Sequence, residues 1–170
     1  MTLPNQNCER DQYDMAQICL NGHIINTHAE TEPEYSKNHC SECGAETITS
    51  CRRCGAKILG QLHPSPKYLR LPMFGAPKFC WNCGALYPWT ETRLNAAHAL
   101  ASKIKGISKE ERRFLYQSID DLVANTAQTN VAIVRIKQIM SKIGPEMRDT
   151  FKEVLIEVLS EAAKKAIWEQ

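Results

Sequence analysis

The chain has 170 residues, eight of them cysteine, and a formal net charge of +2. That length fits one ordinary domain or two small ones. No run of about 18 apolar residues is present, so no membrane span is expected. Residues 1–10 have no apolar segment of the kind a secretory signal needs, which points to the cytoplasm.

Residues 1–14 are polar and read as a flexible N-terminal segment carrying a lone cysteine, Cys8, expected to be an unpaired thiol. Gln12 to Ile18 can form a strand that delivers Cys19. Gly22 permits a turn that aims His23 back toward Cys19, and Ile24 and Ile25 continue into a return strand. Residues 27–38 are polar and read as a loop. Three short repeats follow: Cys40-Ser-Glu-Cys43, Cys51-Arg-Arg-Cys54 and Cys80-Trp-Asn-Cys83, each continuing Gly-Ala. A glycine just past the second cysteine lets the chain reverse sharply and turns backbone N–H groups toward the sulfurs. Residues 61–79 hold Pro64, Pro66, Pro72 and Pro77, which forbid a long helix. Half of the aromatic residues fall within 68–89.

Beyond residue 90 the pattern becomes helical. Leu94, Ala97, Ala101 and Ile104 lie at helical spacing, and Gly106 ends that run. Ser108-Lys-Glu-Glu111 is a capping box that opens a second helix with Phe114, Leu115, Ile119, Leu122 and Val123 inward. Ala132, Ile133, Ile136, Met140 and Ile143 form a third stripe. Gly144-Pro145 starts a fourth helix lined by Phe151, Val154, Leu155, Val158, Leu159, Ala162 and Ala166. At about 24 residues that helix would span roughly 36 Å. The expected domains are a segment 1–14, a cysteine-rich β domain 15–90 and a bundle of three to four helices 91–170.

In a chain without export, cysteines in close pairs read as metal ligands rather than disulfides. The four knuckles supply eight ligands: Cys19, His23, Cys40, Cys43, Cys51, Cys54, Cys80 and Cys83. Zinc takes four such ligands in a tetrahedron, so two structural zinc ions are expected. Consecutive pairing would join Cys19, His23, Cys40 and Cys43 on one ion and the other four on the second. A cross-braced pairing, first with third and second with fourth, is disfavoured by the long spacing between Cys43 and Cys51. A nested pairing would join Cys40, Cys43, Cys51 and Cys54. Both ions would be saturated by protein, with no position for substrate. The seven thiolates and two dications would bring the net charge to about −1, so a globally basic nucleic-acid binder is not indicated.

The Cys-x-x-Cys-Gly-Ala repeats beside a Cys-x-x-Gly-His turn resemble the zinc-ribbon superfamily over residues 17–90. The whole layout runs from Ile18-Cys-Leu-Asn-Gly-His23 through Tyr87-Pro-Trp-Thr90 to Ala162-Ala-Lys-Lys165. It is similar to an uncharacterised bacterial family with an N-terminal double zinc ribbon and a helical C-terminal region. The resemblance implies a prokaryotic or phage origin and transfers the four knuckles, with no activity attached.

The P-loop, Gly-x-Ser-x-Gly and His-Glu-x-x-His motifs are absent, so no enzyme is expected. The expected role is an adaptor or regulatory binding protein that recognises protein or nucleic acid. Its candidate partner-binding residues are Arg52, Arg53, Lys57, Tyr68, Arg70, Phe74, Lys78 and Trp81, where cations could meet phosphates and aromatics stack on bases. Two other readings stand beside it: self-assembly through the C-terminal helices, and a RING-like ligase scaffold if the ligands are cross-braced. His28, His39, His63 and His98 lack ligand spacing and are expected at the surface or in packing roles.

Overall fold

The computed structural model describes residues 13–62, 75–159 and 161–168. Cys8, His63, Tyr68, Arg70 and Phe74 lie outside the described residues. Contacts divide the chain into two units that meet between Thr90 and Glu91.

The N-terminal unit has two small antiparallel sheets. Strand β1 (Tyr13–Met15) pairs with β5 (Leu59–Leu62), and β2 (Gln17–Cys19) lies between β3 (Ile24–Asn26) and β4 (Thr47–Ile48). Tyr13 and Asp14, assigned from sequence to a flexible tail, are already in β1, because Tyr13 has Leu62 opposite it. Ala16 passes the chain from one sheet to the other. It is fully buried, and its N–H donates to the Ile58 carbonyl at 2.8 Å. Gly60 is required here: a Cβ at this position would lie 2.2 Å from the Thr27 carbonyl oxygen. β4 and β5 escape a sequence reading because each is defined by a partner far along the chain, β2 and β1 respectively.

The polar loop after β3 is tied down by buried side chains of the strands. Gln17 Oε1 accepts from the Lys37 N–H at 2.8 Å, and Asn26 Nδ2 donates to the Glu32 carbonyl at 2.8 Å. Asp14 accepts from the N–H groups of Met15 and Glu30 and from the Thr31 hydroxyl. Burial alone would raise the Asp14 pKa, yet these hydrogen bonds from Thr31, Glu30 and Met15 bring it below the ordinary carboxylate value. Within the loop, Pro33–Tyr35 form a short 3-10 turn.

The second unit is helical: α1 (Pro88–Lys103, begun just before the boundary), α2 (Lys109–Ala124), α3 (Thr129–Lys142), α4 (Pro145–Val158) and α5 (Glu161–Trp168). The capping box at Ser108 forms as expected, with the Glu111 N–H on Ser108 Oγ at 3.1 Å and the Ser108 N–H on Glu111 Oε2 at 2.8 Å. The hydrogen bond from Lys142 holds the Glu111 carboxyl down at about 2. Arg112 of α2 donates to the carbonyls of Ala101, Ser102 and Ile104, which satisfies the acceptors left open at the end of α1.

The single 24-residue terminal helix expected from sequence is not formed. Leu159 leaves helical space at φ −82°, ψ 155°, which separates α4 from α5. Phe151, Leu155, Leu159, Ala163 and Ile167 are all buried, four residues apart. On a straight helix, steps of four residues drift by about 40° each, or about 160° from Phe151 to Ile167. The break resets that drift and packs α5 on α3, leaving Ala166 exposed instead of inward. These residues belong to one core with Leu115, Ile119, Leu122 and Ile136. Among the described residues, no helix is long and apolar enough to cross a membrane.

Candidate metal centres

The three Cys-x-x-Cys-Gly-Ala knuckles have one backbone design. In each, the N–H of the first cysteine donates to the alanine carbonyl at 2.8 Å, for Cys40–Ala45, Cys51–Ala56 and Cys80–Ala85. The glycine N–H returns to the first cysteine's carbonyl at 2.8–2.9 Å, and Gly44, Gly55 and Gly84 all take φ near +70°. A side chain at that φ is strained, which is why the glycine recurs. Each knuckle closes with a bridge between the residue before the first cysteine and the residue six past that cysteine: His39 with Glu46, Ser50 with Lys57, Phe79 with Leu86. The first knuckle differs. Gly22 turns at φ +90° and rests on Trp89, and the His23 N–H reaches back to Cys19 Sγ at 3.3 Å.

These turns bring the eight residues into two clusters, Cys19/His23/Cys40/Cys43 and Cys51/Cys54/Cys80/Cys83. Within each, the four ligand atoms lie within 4.8 Å of one another, so either could hold a metal ion. The grouping is consecutive. The cross-braced and nested groupings would need thiols of different clusters to converge. Between sulfurs, Cys19–Cys43 measures 3.8 Å, Cys51–Cys83 3.8 Å and Cys54–Cys80 3.6 Å. His23 turns Nδ1 toward Cys40 Sγ, at 3.4 Å, and Nε2 toward the Glu42 carboxylate, at 3.6 Å. Nδ1 is thus the ligand-side nitrogen, and Glu42 sits where a carboxylate can orient the ring from outside.

Two asparagines were not picked out from sequence. Asn21 Nδ2 donates to Cys43 Sγ at 3.3 Å, and Asn82 Nδ2 donates to Cys54 Sγ at 3.6 Å. Both sit two residues past the first cysteine of their knuckle, and both reach the second cysteine of the facing knuckle. The two clusters therefore repeat one asparagine-to-sulfur contact. Only the pairing of knuckles reveals this, which a single sequence does not show. Backbone N–H groups of Ala45 and Ala56, followed by these asparagines, lower the Cys43 and Cys54 thiols to about 6. The Ala85 N–H favours the Cys83 thiolate, but burial and the crowding of Cys54, Cys80 and Cys51 push that thiol up to about 11. Cys19 is raised by burial, and the Cys40 thiol raises His23. Four thiol-type ligands this close cannot all ionise without a cation between them.

Behind the second cluster, Tyr87 stacks on Trp89 with ring centroids 4.7 Å apart, and Trp89 Nε1 donates to the Pro77 carbonyl at 2.8 Å. Burial, then the neighbouring Cys80, pushes the Tyr87 hydroxyl pKa up. Of the other candidate residues, Arg52 and Arg53 are exposed at the tip of the third knuckle and Trp81 is exposed on the fourth. Lys57 is paired with Glu30 at 3.0 Å, and Lys78 is half-buried. Among the other histidines, His28 Nδ1 meets Thr27 Oγ1 at 3.0 Å, His98 pairs with Asp120 at 3.0 Å, and His39 is exposed.

No curated protein and no solved structure matches the chain. Residues 12–167 match the model of a family described as "Uncharacterized protein conserved in bacteria (DUF2321)", and the chain belongs to that family.

Proposed function

We propose that the protein is a non-catalytic double zinc-ribbon binding protein, an adaptor or regulator in the cytoplasm, whose N-terminal unit is held by two structural zinc ions. The carrying observation is the spacing of the ligand atoms. A tetrahedral ion with zinc–sulfur bonds of about 2.3 Å has sulfur–sulfur edges of about 3.8 Å, and an edge to an imidazole nitrogen of about 3.5 Å. The sulfur pairs at 3.8, 3.8 and 3.6 Å and the Cys40–His23 pair at 3.4 Å fit that frame. Three thiolates with one imidazole, and four thiolates, are both ordinary structural zinc sets. Zinc would supply charge neutralisation and cross-linking here. Because each ion is enclosed by four protein ligands, neither offers a Lewis-acid position for catalysis. The RING-like ligase reading required cross-bracing and gains no support from the consecutive grouping.

Cobalt substitution tests this reading. The cobalt-loaded protein should show tetrahedral d–d absorption with thiolate charge transfer, and the spectrum should not change on adding imidazole or azide. A spectrum that shifts on titration with either would reveal an open coordination position and defeat the non-catalytic reading.

A further inference from the structure

The duplication of the two centres supplies an internal control. The second and third knuckles share the same turn and backbone hydrogen bonds, and both centres share the asparagine-to-sulfur contact, so the residues at the knuckle tips can be compared position by position. The differences lie at the knuckle tips. Where the first centre has Leu20, Ser41 and Glu42, the second has Trp81, Arg52 and Arg53 at the corresponding positions. The first set carries an anion and no aromatic ring. The second carries two guanidinium groups and an indole.

The second set is also held ready. Trp81 Nε1 donates to the Lys57 carbonyl at 2.9 Å, which fixes the indole against the facing knuckle while 40% of the residue stays exposed. Among the described residues Arg52 has a loose, exposed pair with Glu46 at 3.9 Å, of a kind worth little in water. Arg53 is exposed and has no ion-pair partner among the described residues. A planar ring held against the knuckle that carries two guanidinium forks matches a strand of alternating flat bases and phosphates. An acidic peptide would use the arginines and leave the indole idle.

We infer that the knuckle tips of the second centre bind single-stranded nucleic acid, with Trp81 stacking on a base and Arg52 and Arg53 meeting phosphates. This rests on the reading of the unit as a metal-held binding module and names its partner.

The test uses the full-length metal-loaded protein and a fluorescein-labelled oligo(dT) of about 12 nucleotides, read by anisotropy across salt concentrations. Arg52→Ser with Arg53→Glu installs the first centre's tip residues. It should abolish measurable binding. Arg52→Gln with Arg53→Gln should weaken binding at least roughly tenfold and flatten the log–log salt slope by about 1.4. Trp81→Leu should cost roughly tenfold with the slope unchanged. Metal content and melting, measured on each variant, separate this inference from the metal reading. Oligonucleotide binding that is absent in the wild type, or unchanged in the Gln pair with two metals retained, would overturn it. So would a poly-glutamate peptide that binds more tightly than the oligonucleotide.

Discussion

Stripping the metal with a strong chelator should unfold the N-terminal unit and leave the helical unit standing. The strands of the N-terminal unit are two to four residues long, and its buried core is Ala16, Ile18, Ile58, Tyr87 and Trp89 with the sulfurs of Cys51 and Cys80. A core this small does not offset the conformational entropy of its residues. A structural zinc contributes on the order of 10–16 kcal/mol to a small domain of this kind, and two are proposed. NMR spectra should lose the dispersed resonances of Ile18, Ile58 and Trp89 on chelation and regain them with zinc. The helical circular dichroism should persist. An N-terminal unit that keeps its dispersion without metal would remove the structural role.

Phe151→Ala should produce the complementary result. Phe151 is fully buried in the core formed by all five helices, which is separate from the cluster around the sulfurs. Truncating a buried phenylalanine costs about 3–5 kcal/mol through lost transfer energy and the cavity left behind. For a unit of this size each kcal/mol lowers the melting temperature by roughly 4–8 °C. The helical transition should therefore fall by well over ten degrees, or vanish, while the metal content stays at the wild-type value. A loss under about 1 kcal/mol, or a loss of metal in parallel, would contradict the division of the stabilising interactions between two cores.

The eight clustered residues were legible in the sequence because a metal site declares itself through ligand type and local spacing. The capping box at Ser108 and the inward faces of α2 and α3 were legible for a similar reason, since helical periodicity is local. What escaped depended on partners far along the chain. Strand β5 exists because Leu59 and Leu62 meet β1, and Gly60 permits a backbone crossing that no local pattern announces. The break at Leu159 was hidden because residues 145–168 read as one continuous helix, while the core needs every fourth residue inward across α4 and α5. Asn21 and Asn82 stayed unremarked because their sulfur partners sit on the facing knuckle. Once the pairing is known, they reveal the duplication that singles out Arg52, Arg53 and Trp81.

Cys19, His23, Cys40 and Cys43 could hold one metal ion and Cys51, Cys54, Cys80 and Cys83 another, and zinc is the ion proposed for both. Native mass spectrometry of the purified protein, beside elemental analysis of the same sample, tests it most directly. Two zinc ions per chain are expected, falling to one in Cys54→Ser and to one in Cys43→Ser. A chain folded with no bound metal, or a single ion lost completely in either variant, would contradict it.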